Sequence, residues 1–313
     1  MSSSLVEVDS LETVVIIDNE VDPMSWIAVD VSGRFPDMMM SRTKNLAVGK
    51  DSIKAMPMEA MCCAAHGMSV LVTVTKGDVK HYVLFDTGPE EEAWERDAKR
   101  LGTDISSVDV SSYRTGIVTI PVSLYPNPSS STFTRIFRNI EAYNRQQTGL
   151  TPADPTFAEI EGLGAIVCKQ STAHTALDDM FLISGLIPSS APYETGLKGG
   201  IRIQGWEKDE EMADERFLMC NVKGKGIVMF TGCSHRGVVN ASRNAVDLLG
   251  GTVPAHAREA LKPSRGNDYL KALKPKVCLP GHCSGWRVKY EIEKEKEMPG
   301  RLVPCTVGSK ISF

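Results

Sequence analysis

Short apolar runs rich in β-branched and aromatic residues recur along this chain, and they constrain its fold more than any other feature. Thr13 to Ile17, Ser69 to Thr75, His81 to Phe85, Ala165 to Cys168, Phe181 to Ser184, Phe217 to Cys220, Ile227 to Phe230 and Val277 to Leu279 all read as strands. Helical patterning fills other intervals, in Glu90 to Leu101, Val238 to Leu249 and Asp268 to Leu273, while Lys76-Gly77-Asp78 joins two runs at hairpin spacing. The mixture predicts an α/β fold with mixed sheets. No fixed-period repeat, low-complexity tract or composition shift divides the sequence, so residues 1–313 are expected to form one domain. The stretch from about 109 to 155 differs: it holds an isolated run at Ile117 to Ile120, a Pro126 to Ser131 turn cluster and a helical pattern from Phe133 to Tyr143. Such weak signals predict an irregular surface excursion.

With 313 residues, 42% hydrophobic and 24% charged, the chain can bury a large core, which excludes disorder and a collagen-like repeat. The formal net charge of -4 and the scattered Lys and Arg argue against nucleic acid as a partner. Met1 to Ser10 is polar and lacks the pattern of a secretory leader, and no run approaches the roughly 20 apolar residues of a membrane span, so a cytoplasmic location is expected. Eight cysteines are too sparse for a disulfide scaffold in so long a chain. Cys168, Cys220 and Cys278 sit in strand-like runs where a thiol packs as a small hydrophobe, and the adjacent Cys62 and Cys63 also read as packing residues.

Candidate chemistry gathers at strand ends. Ile227 to Phe230 stops at Thr231-Gly232-Cys233-Ser234-His235-Arg236-Gly237, and Val277 to Pro280 stops at Gly281-His282-Cys283-Ser284-Gly285. A third end, Leu84-Phe85-Asp86-Thr87-Gly88, presents a carboxylate in the same manner. Two imidazoles and a carboxylate converging at strand ends are suited to a borderline metal ion such as zinc. Each residue also has a plain structural reading, as a hydrogen-bonded histidine or as turn chemistry. A closed site of Cys233, His235, His282 and Cys283 is disfavoured, because consecutive side chains on an extended chain point to opposite sides.

The order Val15-Ile16-Ile17-Asp18-Asn19, His66-Gly67-Met68-Ser69, Phe85-Asp86-Thr87-Gly88, Ile183 to Pro188, Pro192-Tyr193-Glu194, Asp214-Glu215, the Thr231 turn and Gly281 to Gly285 resembles one group of proteins. It is the dihydropterin-ribofuranosylaminobenzene-phosphate-synthase-like branch of the metallo-β-lactamase fold superfamily. The resemblance implies an αββα sandwich of two mixed sheets flanked by helices, with a metal site where loops meet along one edge. It also implies hydrolase-like chemistry on a small oxygen-rich or phosphorylated molecule. On it, His235 and His282 fall at metal positions, with Asp86 as a helper, while Glu194 and Trp286 are expected to contact substrate. Working members carry His-x-His-x-Asp-His after the Asp-Thr-Gly strand, and this sequence has no such motif. Of its six histidines, His66, His81, His174 and His256 have no supported ligand role, and Gly250-Gly251 is followed by Thr252 to His256 at a different spacing from the family's Gly-Gly-x-His.

Three readings follow. The first is a zinc hydrolase with a reduced site that holds one ion, weakly. The second is a pseudoenzyme or binding protein that keeps the fold without the reaction. The third is an altered reading of an active relative's gene, with coding segments changed around Asp109 to Pro155 and Gly251 to Ala257.

Overall fold

Val70, Val72 and Val74 lie on one face of a strand and are buried, while the residues between them, Leu71, Thr73 and Thr75, are only half-buried. This period of two is what a strand covered mainly on one face requires. It belongs to a computed structural model that describes residues 5–22, 44–48, 50–55, 57–88, 90–113, 116–119, 157–162, 166–168, 170–197, 201–202, 207–208, 210–250, 275–295 and 301–313.

In chain order the first elements are β1 (Glu7–Val8), β2 (Ser10–Ile17), β3 (Lys44–Val48), β4 (Asp51–Ala55), β5 (Ser69–Lys76), β6 (Val79–Phe85) and helix α1 (Glu91–Leu101). There follow β7 (Val110–Tyr113), β8 (Gly116–Thr119), α2 (Phe157–Gly162), β9 (Ile166–Cys168), β10 (His174–Ala176) and β11 (Phe181–Ile183). The last are β12 (Ile201–Arg202), β13 (Glu207–Lys208), β14 (Phe217–Val222), β15 (Gly226–Thr231), α3 (Val238–Leu248), α4 (Gly285–Lys294) and β16 (Lys310–Ser312).

The fold is α/β with mixed sheets. A seven-stranded sheet runs β16-β2-β5-β6-β7-β8-β9, and its neighbours are antiparallel except for the parallel pair β6 and β7. A second sheet is built on β14, which pairs along its whole length with β15. The opposite edge of β14 is shared by β11, antiparallel at its start, and β1, parallel at its end; β10 then pairs with β11. Two separate hairpins, β3 with β4 and β12 with β13, complete the strands.

Three apolar clusters order these elements. One joins Leu11, Val15, Val72, Val74 and Phe85 of the first sheet to Val8, Phe181, Ile183, Leu218 and Cys220 of the second. Another packs Ala93, Trp94, Ala98 and Leu101 of α1 against Ile16, Ile17 and Leu84. The third packs Ala241 and Ala245 of α3 against Leu182, Phe217 and Met219. Helix α1 has Glu91 and Glu92 in its first turn and Lys99 and Arg100 in its last, which suits the helix dipole. Gly102 ends it with φ 66, and the amides of Gly102 and Thr103 bond to the carbonyls of Lys99 and Ala98, closing a Schellman motif.

Most sequence-expected strands are present, and the hairpin at Gly77-Asp78 joins β5 to β6, with Lys76 opposite Val79. Val277 to Leu279 contributes only an isolated parallel bridge, Cys278 to Leu302. The start of the 109–155 stretch is regular rather than irregular: Val110 and Ser111 are buried, and β7 continues the sheet beside β6. Its remainder from 120, the patterns at Phe133 to Tyr143 and Asp268 to Leu273, and Trp26, Trp206 and the Gly251 to His256 segment lie outside the described residues. No helix among the described residues is long and apolar enough to cross a membrane.

The inter-sheet core sets a stability test. Phe181→Ala should lower the unfolding free energy by about 3–5 kcal/mol, whereas Ile53→Ala on the half-exposed β4 should change it by no more than about 0.5 kcal/mol. Urea denaturation of the two variants measures both.

Candidate metal centre

The site begins at the end of β2. A register shift between Val15 and Ile17 breaks the even pairing with β5, and the next residue, Asp18, is fully buried. One Asp18 oxygen accepts the backbone N–H of His282 at 2.9 Å and the other accepts that of Glu20 at 3.1 Å. Burial nevertheless pushes the Asp18 carboxyl above its ordinary range, with the His282 amide and the Lys289 charge opposing the shift. Asn19 extends the clamp: its side-chain oxygen accepts from Gly67 N–H at 3.0 Å and its amide donates to the His282 carbonyl at 3.3 Å. The loops that carry His66 and His282 are therefore tied to the same strand end. Gly281 is required here, because a Cβ would run into the Asp18 carboxylate and Cys305.

The second histidine turn rests on its own carboxylates. Buried Glu215 accepts the backbone N–H groups of His235 and Arg236, both at 2.8 Å. Glu194 accepts those of Val239 and Asn240, at 3.0 and 2.7 Å, in the first turn of α3. Gly237, at φ 102, passes so close to the Glu194 carboxylate that a side chain would overlap it. Glu194, expected to contact substrate, thus has both oxygens engaged with the start of a helix, a favourable place for negative charge.

These supports bring together Cys233, His282 and Cys283, whose donor atoms all lie within 4.8 Å of one another; this group could hold a metal ion. Cys233 Sγ is 3.3 Å from His282 Nδ1, and Cys283 Sγ is 3.9 Å from the Cys233 carbonyl oxygen. On the far side of the His282 ring, Nε2 is 3.5 Å from Nε2 of His66, and the rings meet edge-on with centroids 4.7 Å apart. A hydrogen bond from the Cys233 thiol pulls the Cys283 thiol down to about 4 against the cost of burial, helped by His282 and by the charge of His235.

The donor group differs from the expected His235, His282 and Asp86. His282 belongs to it. Among the described residues, His235 and Asp86 do not. Asp86 has φ 58, and its side chain accepts from the backbone N–H groups of Thr87 and Gly88, while its carbonyl accepts from the Ser69 hydroxyl. Trp94 Nε1–H donates to that hydroxyl in turn, so the Asp86 turn is locked to α1. Cys233 and Cys283 enter because the chain is not extended at His282: residues 282–284 form a 3₁₀ turn, and His282 has φ 44. That curvature removes the objection to consecutive ligands. His66 beside His282 was legible only as a landmark of the resemblance. His81 lies elsewhere, between Asp109 at 3.2 Å and Asp178 at 2.9 Å, and His174 Nδ1 is 3.0 Å from the Thr172 carbonyl oxygen. Trp286, in the first turn of α4, is 67% exposed, with the Arg287 guanidinium 5.5 Å from its ring.

No protein-family profile, no curated protein and no solved structure matches this chain.

Two measurements probe this geometry. Glu194→Ala should cost about 1–2 kcal/mol in urea unfolding, the range of a lost helix cap. With its pKa pulled down to about 4, Cys283 is a thiolate above that pH and loses reactivity only below it. At pH 6 an ordinary thiol of pKa about 8.5 is under about 1% ionised, so iodoacetamide should label Cys283 first among the eight cysteines, as read by peptide mass spectrometry.

Proposed function

We propose that this chain is a zinc-dependent, hydrolase-like protein of the metallo-β-lactamase fold superfamily whose single ion sits on Cys233, His282 and Cys283. The observation that carries the reading is the convergence of these three donors from two strand-end turns. Zinc with sulfur and nitrogen ligands at about 2.3 and 2.0–2.1 Å spaces its donors about 3.5–3.8 Å apart in a tetrahedron. The 3.3 Å between Cys233 Sγ and His282 Nδ1, and the placement of all three donors within 4.8 Å of one another, are close to that spacing. Two thiolates and an imidazole suit zinc better than a hard cation.

The superfamily assignment draws support from the three apolar clusters: helix α1 on one sheet, the two sheets on each other, and helix α3 on the second sheet. An αββα sandwich would bring its layers together in this order. It also fits the placement of the donors at turns following β15 and preceding α4.

Three protein ligands leave one position of a tetrahedral ion open, as in catalytic rather than structural zinc sites. Bound there, zinc supplies Lewis acidity toward an ester or phosphoester oxygen. The chain's own residues do the remaining work. Asp18 and Asn19 fix the His282 backbone, and His66 faces the ring nitrogen of His282 that lies away from Cys233. Trp286 offers a flat apolar face to a small substrate, and Arg287 beside it supplies positive charge for a phosphoryl group.

A pseudoenzyme is the second reading, favoured by the position of Asp86 and His235 outside the donor group, which leaves no second metal position among the described residues. Elemental analysis of protein purified without chelator or metal-affinity resin tests the common ground. About one zinc per chain is expected, lost in Cys233→Ser plus Cys283→Ser and kept in His235→Ala. Absence of bound zinc after dialysis at micromolar zinc would overturn the reading. With zinc bound, turnover of phosphoesters or lactones selects the enzyme, and ligand-induced stabilisation without turnover selects the binding protein.

A further inference from the structure

Cys233 and Cys283 differ in access although they share one cluster: Cys283 is exposed and Cys233 is half-buried beside it. Their sulfurs lie within 4.8 Å, both residues sit on turns rather than within strands, and both flank the same imidazole. The other thiols differ. Cys62, Cys220 and Cys305 are buried, and exposed Cys63 has its sulfur against the Arg100 guanidinium at 3.3 Å. An accessible thiol with a second thiol within reach is the arrangement found in reversible peroxide-reactive dithiols, where one sulfur is oxidised and the other resolves it.

We propose that Cys233 and Cys283 form a peroxide-oxidisable dithiol, and that their conversion to a disulfide discharges the metal ion. The second half rests on the zinc reading above; the first stands on the sulfur pair alone. The Cys283 sulfur attacks one oxygen of hydrogen peroxide or an alkyl hydroperoxide. The O–O bond breaks, water or an alcohol leaves, and Cys283 becomes a sulfenic acid. The Cys233 sulfur then attacks the Cys283 sulfur; the S–S bond forms, the S–O bond breaks, and hydroxide leaves to be protonated as water. Two thiols lose two electrons to one peroxide, and zinc keeps its oxidation state. A disulfide bond of about 2.05 Å requires the sulfurs to close from their present separation by side-chain rotation at the two turns. Both sulfurs are then withdrawn as thiolate ligands, and His282 alone remains of the three donors.

Thr231-Gly232-Cys233 and Gly281-His282-Cys283 set each cysteine next to a glycine or one residue from it. A Cβ built on Gly232 meets no atom within 4 Å.

The test uses the full chain loaded with zinc and titrated with hydrogen peroxide. A chromogenic chelator follows zinc, and non-reducing peptide mapping follows the sulfurs. One peroxide per chain should produce a crosslink between the Cys233 and Cys283 peptides in step with zinc release, and dithiothreitol plus zinc should restore both. In Cys233→Ser the crosslink should vanish and Cys283 should proceed to sulfinic acid. Zinc release with sulfinic Cys283 and no crosslink in the unmodified chain would overturn the proposal, as would retention of both free thiols after complete oxidation of a free-cysteine control. If the chain holds no zinc, the zinc reading fails and with it the discharge. The crosslink in that metal-free chain still decides the dithiol: its formation supports the pair, and its absence overturns it.

Discussion

Asp18 holds the molecule's chemistry in place by giving its buried carboxyl to backbone amides. A carboxyl group stripped of water is costly unless hydrogen bonds replace what is lost, and here the amides of His282 and Glu20 replace it. The upward shift of its pKa by burial records that the exchange is incomplete. Lys289, ion-paired at 2.7 Å with Glu20, adds positive charge nearby, and the Cys305 thiol is hydrogen-bonded to the carboxyl. Because the His282 turn has no regular strand ladder of its own beyond a single bridge, this carboxyl is what converts a loose return of the chain into a fixed platform.

The same device recurs on the other side of the site. Glu215 receives two consecutive amides at His235 and Arg236, and Glu194 receives two more at the head of α3. Asn240 then reaches back from the helix: its side-chain oxygen accepts the amides of Ser190 and Ala191, and its nitrogen donates to the Arg236 carbonyl. Glu194, expected to contact substrate, is engaged with backbone instead, as Glu215 is. What faces the centre is sulfur and imidazole, which are soft enough to hold a metal and reactive enough to be oxidised.

The strands, the two long helices and the hairpin at Gly77 were legible because their signals are local, as the Val70, Val72 and Val74 alternation shows. Strand ends were legible as places where donor side chains gather, and His282, expected as a ligand, lies in the Cys233, His282 and Cys283 group that could hold a metal ion. Its partners were not legible. Whether His282 and Cys283 diverge or converge depends on one backbone dihedral, and the positive φ at His282 is imposed by Asp18, 264 residues away, and by Asn19. Nor does sequence reveal that His66 ends beside His282, since a landmark tripeptide carries no information about what faces it across the fold. The β7 strand was obscured for a different reason: Ser111 and Ser112 read as loop residues, although Ser111 is fully buried, with its hydroxyl donating to the Leu84 carbonyl.

The long separation between Asp18 and its partner also bears on how the chain is made. At about 5–20 residues per second, a ribosome needs roughly 13–50 s to pass from one to the other. Throughout that interval β2 can pair with β5, but the Asp18 carboxyl has no His282 amide and the edge of β2 that later receives β16 stays open. The first sheet can therefore begin to form before that clamp is complete. The clamp on His282 and the pairing of β16 with β2 are both completed only once residues 282 to 312 have been made.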